Sequence, residues 1–156
     1  MPSRISVQAT AYLRNSLAAA ELENLLADFA DWKSLGAAGE NYSYIFGKDA
    51  AYKPPICQHY ELRHAHLAPL SNPSAMALWN WAWHQTPPRK RTSDKALIYT
   101  QSENKYSQKI DFLLISIIDD LEAHRTAKMS TPQDKALMQH FAKIAKEFIF
   151  SGKIIA

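Results

Sequence analysis

The sequence predicts an α+β domain, a small antiparallel sheet of about four strands with an N-terminal and a C-terminal helix packed on it. Three observations point there. Residues 4–13 alternate apolar and polar side chains, the period of a half-buried strand. Two stretches near the ends of the chain carry apolar residues at helical spacing. Between them, strand-like runs follow one another through connections that do not read as crossover helices. That favours antiparallel pairing with the helices on one side.

In the first strand Ile5, Val7, Ala9, Ala11 and Leu13 share one face, and Arg4, Ser6, Gln8, Thr10 and Tyr12 share the other. Asn15 or Ser16 offers an N-cap for an amphipathic helix over about 17–34. Its stripe is Leu22, Leu25, Leu26, Phe29 and Trp32, and Gly36 and Gly39 end it. Residues 40–58 read as loop or a short helical turn, and Pro54 and Pro55 stop any regular element. A second strand is predicted over 58–68, with Tyr60, Leu62, His64 and His66 facing one way and Glu61, Arg63, Ala65 and Leu67 the other. A long connection over 69–95 has room for a short helix at SAMALWNWAW. Strands follow at 96–101 and 110–118. The second of these is apolar on both faces and so belongs in the middle of the sheet. Thr131-Pro132 starts the last helix, Leu137, Met138, Phe141, Ile144, Ala145 and Phe148 form its stripe, and Gly152 ends it.

A chain of 156 residues without repeats or low-complexity tracts fits one domain. The one cysteine, Cys57, cannot form an internal disulfide. No apolar run approaches a membrane span, and the first residues lack a signal-peptide core. The expected address is the cytoplasm. The net charge of +3 is uneven: residues 1–50 carry 4 basic and 6 acidic side chains, residues 51–156 carry 14 and 9. A basic C-terminal part suits a polyanionic partner. With four glycines, no phosphate-binding loop and no nucleophile elbow, nucleotide-cofactor enzymes and Gly-x-Ser-x-Gly hydrolases are disfavoured.

Four clusters could carry chemistry. ELRHAHLA sets Arg63, His64 and His66 within one strand, the two histidines on one face. Such a pair can share acid–base work or bind a metal, or can be ordinary hydrogen-bonding residues. Arg89, Lys90 and Arg91 precede the strand of Tyr99, and Trp79, Trp81 and Trp83 lie upstream. Cations contact phosphates and indoles stack on unpaired bases, a combination that suits single-stranded RNA. His124, Arg125 and Lys128 follow the central strand, at the end of the sheet. His140 and Lys143 share a helical face.

Taken in order, IFGKDAAY (45–52), HAHLA (64–68), RTSDKALIY (91–99), LLISII with His124, and the C-terminal helix with Met138, Lys143, Ala145 and Phe148 resemble the YafO family of type II toxin–antitoxin toxins. The resemblance covers nearly the whole chain. It implies a RelE-like fold and a ribosome-dependent messenger-RNA endonuclease that is held silent by a cognate antitoxin and uses neither metal nor cofactor. On that reading the RNA 2′-hydroxyl attacks the adjacent phosphate. His64 or His66 transfers protons, with His124 as a second candidate. Arg63 or Arg91 stabilises the phosphate, and Tyr99 hydrogen-bonds or stacks. Arg89, Lys90, Arg125, Lys128, His140 and Lys143 contact RNA or ribosome. Strand parity sets Arg63 and His64 on opposite faces; either a bulge reconciles them or one of the pair is structural. Three alternatives remain: a non-catalytic RNA- or ribosome-binding protein, a metal-dependent hydrolase using His64, His66 and His124, and a degenerate toxin that keeps the fold and acts only as a partner.

Overall fold

A computed structural model describes residues 4–57, 61–104 and 106–156. Among them the elements are β1 (Arg4–Ala9), α1 (Ala11–Ser16), α2 (Ala19–Ser34), a 3-10 turn (Ala37–Tyr42), β2 (Phe46–Ala51), β3 (Arg63–Leu67), α3 (Pro73–Trp83), β4 (Ala96–Asn104), β5 (Lys109–Ile118), α4 (Ala123–Ala127) and α5 (Pro132–Ser151). The fold is α+β. Its sheet has five strands in the order β1-β5-β4-β3-β2. β2 to β5 pair antiparallel, and β1 pairs parallel with β5.

Four features depart from the sequence reading, among them the parallel pairing of β1 where an antiparallel sheet is predicted. The fifth strand is β2, within the segment read as loop; its short, mixed sequence FGKDAA hides it, and it is an edge strand held by β3. The first strand ends at Ala9 because Thr10 turns the chain. Its hydroxyl accepts the Leu13 N–H at 3.1 Å and donates to the Ile115 carbonyl at 2.7 Å. Asn15 and Ser16 therefore lie inside α1, and α2 starts after Ala18 without a side-chain cap. The helices also divide between the two faces of the sheet. The β3 strand starts at Arg63; the earlier part of its predicted span, residues 58–60, lies outside the described residues.

One face is covered by α2. Phe29 sits edge-to-face against Trp32, Phe46, Tyr99 and Phe112, with ring centroids 5.1–5.7 Å apart. Truncating such a ring to Ala costs about 3–5 kcal/mol. The other face is covered by α5, whose Met138, Phe141, Ile144, Ala145 and Phe148 join Leu62, Ile98, Leu113 and Ile115. Thr131 caps α5 by accepting the Asp134 N–H at 3.1 Å, and Gly152 closes it at φ 74°. α5 packs on β4 and β5, which leaves the β3 end of this face to α4 and the loops. Gly47 marks a close approach: a Cβ there would sit 2.1 Å from the Arg91 carbonyl oxygen and 2.7 Å from the Trp79 ring. No described helix is long and apolar enough to cross a membrane.

Candidate active site

Alternation along β3 sorts its side chains. Arg63 and Ala65 pair across from Tyr99 and Leu97 and point to the α2 face; His64 and His66 pair across from Ile98 and Ala96 and point to the α5 face. β3 carries no bulge against β4 to reverse this. The histidines and the Arg63–Tyr99 pair therefore lie on opposite sides of the sheet.

On the α5 side four rings stand in a row. Tyr52 stacks on His64 at 4.2 Å, with an interplanar angle of 21°. His64 and His66 centroids are 5.5 Å apart, and His66 and His124 centroids 5.8 Å. His124 arrives from α4, some sixty positions further along the chain, because the Ala123 N–H bonds to the Asp94 carbonyl at 3.2 Å and the His124 N–H bonds to the Asp94 carboxylate at 2.7 Å. The same carboxylate oxygen lies 2.9 Å from His124 Nδ1. With Nδ1 engaged, Nε2 of this exposed ring is the nitrogen left for proton exchange.

His66 is buried, its Nδ1 2.7 Å from the Ser93 carbonyl oxygen and 3.0 Å from the Ser93 backbone nitrogen. His64 is half-buried, and its Nδ1 has no hydrogen-bond partner among the described residues. Burial and the neighbouring His66 push the His64 pKa down to about 4. Burial also lowers that of His66. Both rings are thus neutral at pH 7 and able to accept a proton. Lys48 is exposed, and its charge opposes protonation of both. Among the described residues, no group of three or more His, Cys, Asp or Glu side chains could hold a metal ion.

On the α2 side Tyr99 is fully buried. It donates to Asp49 Oδ1 at 2.5 Å and accepts from Arg63 Nε at 3.2 Å. Lys33 binds Asp49 Oδ2 at 2.5 Å, with Arg63 Nη2 3.8 Å from the same oxygen. Lys33, Asp49 and Arg63 line a cleft of about 430 Å³ together with Glu40 and Glu103. Burial holds the Lys33 pKa below its usual value and the Tyr99 pKa well above.

Arg91 is where the structure corrects the sequence reading most directly. Its side chain is 1% exposed, and its guanidinium binds four backbone carbonyls: Asn41 at 3.3 Å, Arg89 at 2.9 Å, Phe46 at 3.1 Å, and Ser43. It is also sandwiched near Trp79 and Trp83. Its Nη1 and Nη2 donors are spent on carbonyls and its Nε–H is buried without a partner among the described residues, so the group is enclosed away from a phosphate. Arg125 and Lys128 are exposed on or next to α4 beside His124, Arg125 in an ion pair with Glu122 at 3.6 Å. Arg89 and Lys90 are exposed where the long connection leaves α3. His140 and Lys143 part company on α5: His140 lines a cleft with Tyr12 and Leu137, Lys143 one with Cys57 and Glu61.

The sequence has counterparts among known proteins. Residues 30–150 match the model of the family described as toxin YafO, type II toxin–antitoxin system. That stretch holds the whole histidine row together with Asp94 and Lys48. The chain belongs to the YafO toxin family. It is similar to the mRNA interferase toxin YafO of Escherichia coli (strain K12), with 31% identity over 144 residues, covering 89% of this chain and 93% of the relative. No solved structure matches. In this YafO-family chain three residues of the candidate site were missed from sequence: Asp94, Lys48 and Tyr52. All lie within the quoted motifs RTSDKALIY and IFGKDAAY, but nothing in their spacing couples them to a histidine. The contact between Asp94 and the first turn of α4 is made only by folding.

Proposed function

We propose that the chain is an endoribonuclease that cuts messenger RNA on the ribosome, using the RNA 2′-hydroxyl as nucleophile, and so arrests translation until a cognate antitoxin binds it. Its place of action is the cytoplasm. The observation that carries the reading is the row from His64 to His124, ended by the Asp94 carboxylate, in a member of a toxin family.

Cleavage of this kind needs a base for the 2′-hydroxyl, an acid for the leaving 5′-oxygen and positive charge near the phosphoryl oxygens. His64, neutral before substrate arrives, takes the 2′-hydroxyl proton. The phosphate anion drawn up beside it raises its basicity at that moment. His124 delivers a proton from Nε2 to the leaving oxygen, and Asp94 holds its ring in place. His66, tied to Ser93, positions the row. Lys48 takes the phosphate role once expected of Arg63 or Arg91, and Arg125 and Lys128 track the neighbouring backbone. Arg63, Tyr99 and Arg91 hold the scaffold.

The test is translation in a cell-free system with purified chain and mapping of messenger-RNA 5′ ends. Cuts that need translating ribosomes and vanish in His124→Ala and in His64→Ala/His66→Ala support the reading. Arrest without cuts would favour a binding protein, and cuts that survive both variants would move the chemistry elsewhere.

A further inference from the structure

The tryptophans of α3 have unequal fates. Trp79 is 1% exposed, its Nε1 donating to the Tyr44 carbonyl at 2.8 Å. Trp83 packs between Tyr44 and Arg91. Trp81, two residues along the helix from each, is 55% exposed, and Leu78 beside it on the outer face is 73% exposed. The backbone that carries this open indole is tied on both sides. The Gln85 amide donates to the Trp81 carbonyl at 3.0 Å, and the returning chain is pinned where the Arg89 N–H meets the Ala82 carbonyl at 3.0 Å. That pin brings the Arg89 guanidinium to 5.2 Å from the Trp81 ring centroid.

The charge around the indole has one sign. No Asp or Glu occurs from Leu62 to Ser93. Arg89 and Lys90 are exposed and form no ion pair among the described residues. A solvated cation stacked on an open indole, with a second cation next to it, offers a base one aromatic face and a phosphate two donors. A protein partner would need hydrogen-bonding backbone or acidic residues to match, and the acid-free stretch matches polyanionic RNA directly. The same piece of chain continues to Ser93 and Asp94, which hold His66 and His124. Six residues, Arg89 to Asp94, span at most roughly 20 Å, so the platform and the histidine row lie within reach of one short stretch of RNA.

We infer that Trp81, with Arg89 and Lys90, is a stacking subsite for an unpaired RNA base flanking the one cut. The inference rests on the ribonuclease reading for the identity of the substrate, but its test does not. Binding of the purified full chain to a fluorescent 2′-O-methyl uridine oligonucleotide of about twelve residues, which cannot be cut through a 2′-hydroxyl, is followed by polarisation. Trp81→Ala is expected to weaken binding about 5- to 100-fold, the worth of one base–aromatic stack. Trp81→Phe should recover most of it. Arg89→Ala should weaken binding and flatten its dependence on salt. Circular dichroism confirms that each variant is folded. Equal binding by wild type and Trp81→Ala overturns the inference, as does a wild-type chain that ignores the probe. A loss confined to antitoxin binding overturns it too and makes the face a protein interface. Trp81-dependent binding by a chain that never cuts messenger RNA supports the platform and sinks the ribonuclease reading alone.

Discussion

Asp94 holds His124 twice through one oxygen, Oδ1, which accepts the backbone N–H at 2.7 Å and lies 2.9 Å from the ring Nδ1. The carboxylate thus fixes both where α4 begins and which ring nitrogen faces outward.

If His124 transfers the proton, His124→Ala lowers cleavage about 100-fold or more. Asp94→Asn keeps an acceptor for the backbone N–H and loses only the charge, so its loss is smaller. Residues acting as a unit are not additive. The double variant is therefore expected to be no slower than His124→Ala alone, measured as the cleavage rate of a ribosome-bound message.

Acid should destabilise the chain through His64. Its folded pKa of about 4 lies below the unfolded value of about 6.5. As pH falls below 6.5 the unfolded chain takes up the proton first, so stability is full above 6.5 and is lost progressively down to 4. Between pH 6.5 and 5 the loss from this group is about 2 kcal/mol. Urea titrations at the two pH values should show it. His64→Phe, which keeps a ring against Tyr52, should remove most of the slope and leave the smaller share due to His66.

Arg91 should matter for stability. Arg91→Ala strands the carbonyls of Asn41, Ser43, Phe46 and Arg89, and a loss of about 3 kcal/mol or more is expected. Arg91→Lys should rescue little, since a point charge cannot reproduce the planar fork. Thermal unfolding measures both. A normal melting temperature in Arg91→Ala would contradict the scaffold role.

Tyr99 gives the complementary case. Tyr99→Phe removes a donor to Asp49 and an acceptor for Arg63, at a cost of about 1–2 kcal/mol, on the face of the sheet away from the histidines. Cleavage by the folded variant should stay within a few-fold of wild type. A loss of 100-fold with unchanged stability would move the chemistry to the Lys33–Asp49–Arg63 side.

The elements that repeat a pattern were legible without a structure. The stripe from Leu22 to Trp32 and that from Met138 to Phe148 became α2 and α5, and Thr131, Pro132 and Gly152 bound α5 as their chemistry requires. The doubly apolar run at 110–118 became the interior strand β5. Parity alone put His64 and His66 on one face and Arg63 on the other, because side chains alternate along any strand. β2 was invisible because an edge strand of mixed residues has no period to read and is made by its partner β3. The parallel pairing of β1 escaped for a similar reason, since pairing direction depends on where β5 lies in space. Only the tertiary structure could bring Asp94 and His124 together, bury Arg91 among carbonyls and leave Trp81 open while Trp79 is enclosed. Periodicity reports which side of an element a residue occupies. Which distant residue meets it there, and whether water still reaches it, is decided by packing.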